Sequence, residues 1–145
     1  MKDKDAKFLG VLMNSAYDIF ITMAAFALEY GDFRGGAAIG FVDSDGQIWS
    51  VSSETNANLP SRWGNQDDRY ACYASLKLQT ALSQKSDTKK LPKKELPLKA
   101  VHEGAIVFFL EQYGVWVGIA YSGHEGSQDK NISSYTRDKI FLSSD

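Results

Sequence analysis

The chain has 145 residues, a net charge of −2 from 16 basic and 18 acidic side chains, and 43% apolar content. These are the values of a globular chain long enough to enclose one core, which excludes a disordered or fibrous polymer. The interspersed acids and bases give no electrostatic reason to expect nucleic acid or a membrane surface as partner, and a lone cysteine, Cys72, excludes an internal disulfide and any multi-cysteine metal site.

In chain order, the first predicted element is a helix from about Phe8 or Asn14 to Tyr30. Its apolar positions Leu9, Leu12, Met13, Ala16, Phe20, Met23, Ala27 and Tyr30 recur at three and four, and Gly31 is a natural C-terminal stop. The charged start, Met1–Lys7, is followed by apolar residues broken by Asn14 and Asp18, with no small-residue cleavage site. The apolar run Ile19–Leu28 is too short to cross a bilayer. The expectation is a soluble cytoplasmic protein.

A hairpin follows. Gly36–Val42 and Gln47–Ser52 are β-prone runs joined by Asp43-Ser44-Asp45-Gly46, a strong turn signal. Thr55–Asn65 reads as irregular loop and sets Arg62 beside Trp63. A second helix is predicted over Gln66–Ser83, with Tyr70, Ala74, Leu78, Ala81 and Leu82 on one face and Asp67, Asp68, Lys77 and Gln84 toward water. Lys85–Lys99 carries six lysines and two prolines, and reads as a solvated connector.

Two strong strands are predicted next, Ala105–Glu111 and Val115–Tyr121. The first is apolar on both faces, so the sheet should be covered on both sides. In the second, Gly118 and Ala120 leave space that a helix, a partner subunit or a ligand can occupy. A last helix runs from Gln128 to about Ile140, with Ser127 at its N-cap and Asp129 in its first turn. No internal repeat and no long linker appears, so residues 1–145 are expected to form one domain.

The segment Gly118-Ile119-Ala120-Tyr121-Ser122-Gly123-His124-Glu125-Gly126-Ser127-Gln128-Asp129, preceded by Gly104-Ala105-Ile106-Val107, resembles the C-terminal signature of the GlcG/HbpS-like family. Ala38–Gly46 resembles its hairpin and Leu76–Leu82 its second helix, so the likeness runs from about Ser15 to Ile140. Two departures stand out: Glu103-Gly104-Ala105-Ile106 lacks one glycine and the proline of the family pattern, and Gly123-His124 replaces Gly-Gly. The resemblance implies a profilin-like α/β sandwich, with a five-stranded, mainly antiparallel sheet and helices on its faces. It also implies a haem- or corrinoid-associated binding protein, or an accessory protein, that forms a homodimer or larger oligomer.

Candidate site residues follow from chemistry. His102, beside Glu103, is either a haem-iron ligand whose ring Glu103 orients or a strand-edge histidine. His124 sits in a glycine-flanked loop before the last helix, where free N–H groups can hold a carboxylate or phosphate; the same glycines also serve a plain tight turn. Arg62, Trp63, Tyr70 and Tyr73 can wall a flat carboxylated molecule and pair its acid groups, or be core and surface. The two histidines lack metal-motif spacing. No nucleophile elbow, phosphate loop or dinucleotide fingerprint is present, so a catalytic reading has little to stand on. Two functions lead: a small-ligand binder, with haem as the implied cofactor, and a ligand-free oligomeric interaction protein whose Trp116 face buries against a second copy; an enzyme with His124 as general acid or base is the weaker third.

Overall fold

A computed structural model describes residues 1–31, 35–55, 70–89 and 103–142. Helix α1 spans Asp3–Ala27 and tightens into a 3-10 turn at Leu28–Tyr30 before Gly31, at φ 116°, ends it. It begins earlier than its apolar periodicity suggests because Asp3 and Asp5 in the first turn suit the positive end of the helix. Asp5 has a second role: buried, it accepts the Ser44 N–H at 3.0 Å and so fixes the tip of the hairpin.

That hairpin joins β1 (Gly36–Val42) and β2 (Ile48–Glu54). The Asp43 carboxylate closes the turn by accepting the Asp45 and Gln47 N–H groups on one oxygen and the Trp49 indole N–H on the other, at 2.8 to 2.9 Å. The indole bond holds this carboxyl below its usual range. Strands β3 (Ala105–Leu110) and β4 (Val115–Ser122) complete an antiparallel sheet of order β2-β1-β4-β3, with Gly40 opposite Gly118 and Ile39 opposite Ile119. The sheet has four strands among the described residues, not the five implied by the resemblance. No predicted run of residues carried the fifth.

Both faces are covered, as the double-sided strand requires. Helix α2 (Tyr70–Gln84) lies on one face, where Ala74, Leu78, Ala81 and Leu82 meet Ala38, Ala105 and Ala120. Helix α1 and helix α3 (Gly126–Ile140) lie on the other, over Ile39, Phe41, Ile106, Val117, Ile119 and Tyr121. The space beside Gly118 is therefore filled by a helix: a Cβ there would stand 2.7 Å from Leu78 Cδ1. A ligand pocket at this position is excluded by that packing.

One further expectation is corrected. Lys77 does not face water but is buried, because its ammonium finds a carboxylate on α3. Residues Asp3–Tyr30 together are long and apolar enough to cross a membrane by length and composition, which the Ile19–Leu28 run alone is not. One side of that helix is nonetheless core, with Phe8, Leu12, Ile19 and Met23 buried against the sheet.

Candidate functional site

The site is built where β4 ends and α3 begins. Gly123, at φ 148°, turns the chain out of the sheet, and α3 starts three residues later. Its N-cap is Glu125, not Ser127. The Glu125 side chain accepts the Gln128 backbone N–H, and Gln128 Oε1 accepts the Glu125 N–H at 3.3 Å, a capping box.

Asp129, one turn in, reaches back under this loop. Its Oδ1 accepts the His124 N–H at 3.0 Å, the Gly123 N–H also donates to the carboxylate, and Oδ2 accepts Lys77 Nζ at 3.1 Å. Lys77 Nζ donates as well to the Tyr121 carbonyl at 3.2 Å. The two charged side chains are 6% and 2% exposed. Burial pushes Asp129 up to about 6, against the pull of Lys77, and pushes Lys77 down, against the pull of Asp129. The three donors that converge on the carboxylate offset part of the burial cost of its charge.

Gly104 shows how closely this knot is drawn. At φ 143° it lies where a Cβ would stand 2.6 Å from the Tyr121 carbonyl and 2.7 Å from Lys77 Nζ, while its own carbonyl accepts Tyr121 N–H and Ser133 Oγ. The N–H groups of the Gly123–His124 turn are consequently spoken for by the chain's own carboxylate. An anion held there by those groups would have to displace Asp129.

The His124 side chain is a separate matter. Half-buried, its ring lies nearly parallel to Tyr121 at 6.2 Å and 6.0 Å from Tyr30. The aromatic run continues from Tyr30 to Phe26 at 6.0 Å, then to Tyr135 stacked on Phe26 at 4.3 Å, with Lys139 Nζ 5.8 Å above the last ring. A wall of rings thus leads from the sheet end, past the end of α1, to the surface of α3. Such a wall suits a flat apolar molecule, and His124 is the side chain in it with a nitrogen able to ligate iron. Among the described residues no group of three or more His, Cys, Asp or Glu is placed to hold a metal ion alone.

Of the residues singled out from sequence, His102, Arg62 and Trp63 lie outside the described residues. Tyr70 is buried at the first turn of α2, with Gly36 tight against its backbone, and Tyr73 is exposed. Gly36 pairs with Ser122, so Tyr70 and His124 share one end of the sheet. They approach it from opposite sides, however, because α2 covers the Ala120 face while Tyr121 and α3 belong to the other. Sequence reasoning missed Lys77, Asp129 as its partner, Tyr30 and Tyr135. The first two stood in the segments that carried the family resemblance, and that was the available signal.

No family model matches this chain. No curated protein matches it either. Among solved structures it is similar to the PduOC:heme complex, at 16% identity and TM-score 0.60, with 88% of this chain and 93% of that one covered. It is similar to HbpS at 18% identity and TM-score 0.60, covering 88% and 87% of the two chains. Protein ORFY of Klebsiella pneumoniae matches at 14% identity and TM-score 0.58, over 86% of each chain. These are the neighbours to which the GlcG/HbpS-like resemblance points, and what they share with this chain is the fold.

Proposed function

We propose that this protein is a small-ligand binder that takes haem, or a similar flat tetrapyrrole, against the aromatic wall at the end of β4. The observation that carries the reading is the His124 side chain, half-buried among Tyr121 and Tyr30 on a loop that Asp129 holds by its backbone. Asp129 grips the loop through main-chain N–H groups, so an imidazole nitrogen that ligated haem iron would leave those bonds in place. Haem iron, when bound, would supply the colour and redox chemistry. The likeness to a structure solved as a haem complex supports the same choice.

The test is a titration of the purified chain with haemin, followed in the Soret region, with His124→Ala and His102→Ala alongside. The expected outcome is a saturable one-to-one shift that is lost or displaced in His124→Ala and retained in His102→Ala. Loss in His102→Ala alone would move the site to the other histidine. A shallow response without saturation would remove the haem reading.

A further inference from the structure

We infer that the outward face of α1 is a self-complementary surface on which a second copy of this chain packs, helix against antiparallel helix. Gly10, Met13, Tyr17, Ile21, Ala24 and Leu28 recur at three and four along α1 and its 3-10 extension, on the side away from the core. The four large members are between 52% and 74% exposed, whereas Phe8, Ile19 and Met23 on the inner side are fully buried. A helix apolar on both sides is ordinarily covered on both. The outward side chains leave apolar surface on the order of 400 Å² per copy, the size of patch that marks an interaction site. Doubled across a two-fold axis, with its rim, such a patch approaches the roughly 1,000 Å² of a specific interface.

Shape selects the partner. In an antiparallel pair with Tyr17 opposite Ile21 of the second copy at the centre, Leu28 falls opposite Gly10 and Met13 opposite Ala25, so the large residues toward the ends meet small ones and the pattern repeats about the axis. Gly10 is a glycine in mid-helix, a position that weakens the helix, and nothing lies within 4 Å of where its Cβ would be. No packing among the described residues accounts for it, while a notch for Leu28 of the second copy does. Charge agrees. Lys7 lies at one end of the stripe and Glu29 at the other, so antiparallel pairing brings unlike charges within about a turn and parallel pairing brings like ones together. A lipid surface fits less well, because the flanks carry Asp18 and Glu29 and no Lys or Arg stands between Lys7 and Arg34.

The experiment is sedimentation velocity on the full chain at micromolar concentration, comparing wild type with Ile21→Glu and Gly10→Met. Wild type should sediment as a dimer or a multiple of one, and Ile21→Glu at half that mass with unchanged circular dichroism, since Ile21 points away from the core. Gly10→Met fills the notch from a position whose Cβ meets nothing within 4 Å, and should weaken association by at least about ten-fold; it decides the question by itself should Ile21→Glu fail to fold. A monomeric wild type, or both variants keeping the wild-type mass, overturns the inference. So does dissociation by Phe109→Lys alone, which would put the interface on the half-exposed Phe109–Trp116 pair of β3 and β4. Co-sedimentation of a monomeric chain with phosphatidylcholine vesicles, abolished by Ile21→Glu, would overturn it in favour of lipid.

Discussion

The two faces of the sheet solve the same packing problem in opposite ways. On the α2 face the sheet offers Ala38, Ala105, Gly118 and Ala120, and the helix comes close enough for Leu78 and Leu82 to fill the space a side chain would take. On the α1/α3 face the sheet offers Ile39, Phe41, Val117, Ile119 and Tyr121, and the helices stand off behind a thick layer of large side chains. Close approach leaves no room for a ligand and little tolerance for added atoms. The thicker layer ends in a fringe of rings, Tyr121, His124 and Tyr30, and it is there that we propose a guest molecule is received.

The largest test of this contrast is the ion pair that ties the helix of one face to a helix of the other. Asp129→Leu strands the Lys77 ammonium in a buried position and releases the Gly123–His124 turn, so unfolding free energy should fall by about 3–5 kcal/mol. Replacing both partners, Lys77→Met with Asp129→Leu, removes the stranded charge and should restore most of that loss. Chemical denaturation of the two variants decides it. A double variant as unstable as the single one would show that the backbone bonds of Asp129, not the charge pair, matter most.

Next come the glycines under α2. A Cβ on Gly36 would meet the Ala71 amide nitrogen and the Tyr70 carbonyl carbon, both backbone, so Gly36→Ala must push the helix away and should cost about 3 kcal/mol. Gly118→Ala presses on side chain and not backbone, Leu78 Cδ1 and Leu82 Cδ2 and Cγ, and should cost about 1–2 kcal/mol. Equal losses in the two variants would mean that the helix, rather than its side chains, yields at both places.

The pH dependence is smaller and has an uncommon sign. Asp129 titrates near 6 in the folded chain against 3.8 for an unburied carboxyl, because burial outweighs Lys77. The folded state therefore holds a proton between about pH 4 and 6 that the unfolded chain has released. This contribution to stability is fully present below the unfolded value and is lost as pH rises through the folded one, the reverse of a paired surface carboxylate. It amounts to no more than about 3 kcal/mol across that window. Wild type should lose less stability between pH 6.5 and 4 than the Lys77→Met, Asp129→Leu variant, as read from denaturation midpoints at each pH.

How far this contrast was legible in the sequence depends on which interactions are local. The α1 periodicity, the Asp43–Gly46 turn and the apolar runs of β3 and β4 are short-range patterns, and the elements they predict are present, α1 beginning five to eleven residues earlier than its periodicity suggests. The smallness of Gly118 and Ala120 was visible too, but not what fills the gap, because Leu78 and Leu82 come from another element. Lys77 was read as solvent-facing because a lysine among polar helix positions normally is. Its burial depends on a carboxylate 52 residues away, which no local pattern encodes. His124 was picked out for its flanking glycines, whereas the ring contacts that make it a candidate come from Tyr30, nearly a hundred residues earlier in the chain.

The smallest expected effect is the one that best separates structure from function at the fringe. His124→Ala removes a ring lying 6.2 Å from Tyr121 and 6.0 Å from Tyr30, contacts worth about 0.5–1 kcal/mol between aromatic groups. It leaves the backbone N–H that Asp129 accepts, so the turn and the helix start should persist. A thermal or denaturant midpoint close to wild type, together with a changed haemin spectrum, would assign the imidazole to ligand binding. A loss several times larger would instead make the ring a structural wedge between β4 and α1, and the aromatic wall a seam of the core. The distinction turns on whether the loop is held by its backbone or by its side chain, and Asp129 supplies the backbone hold.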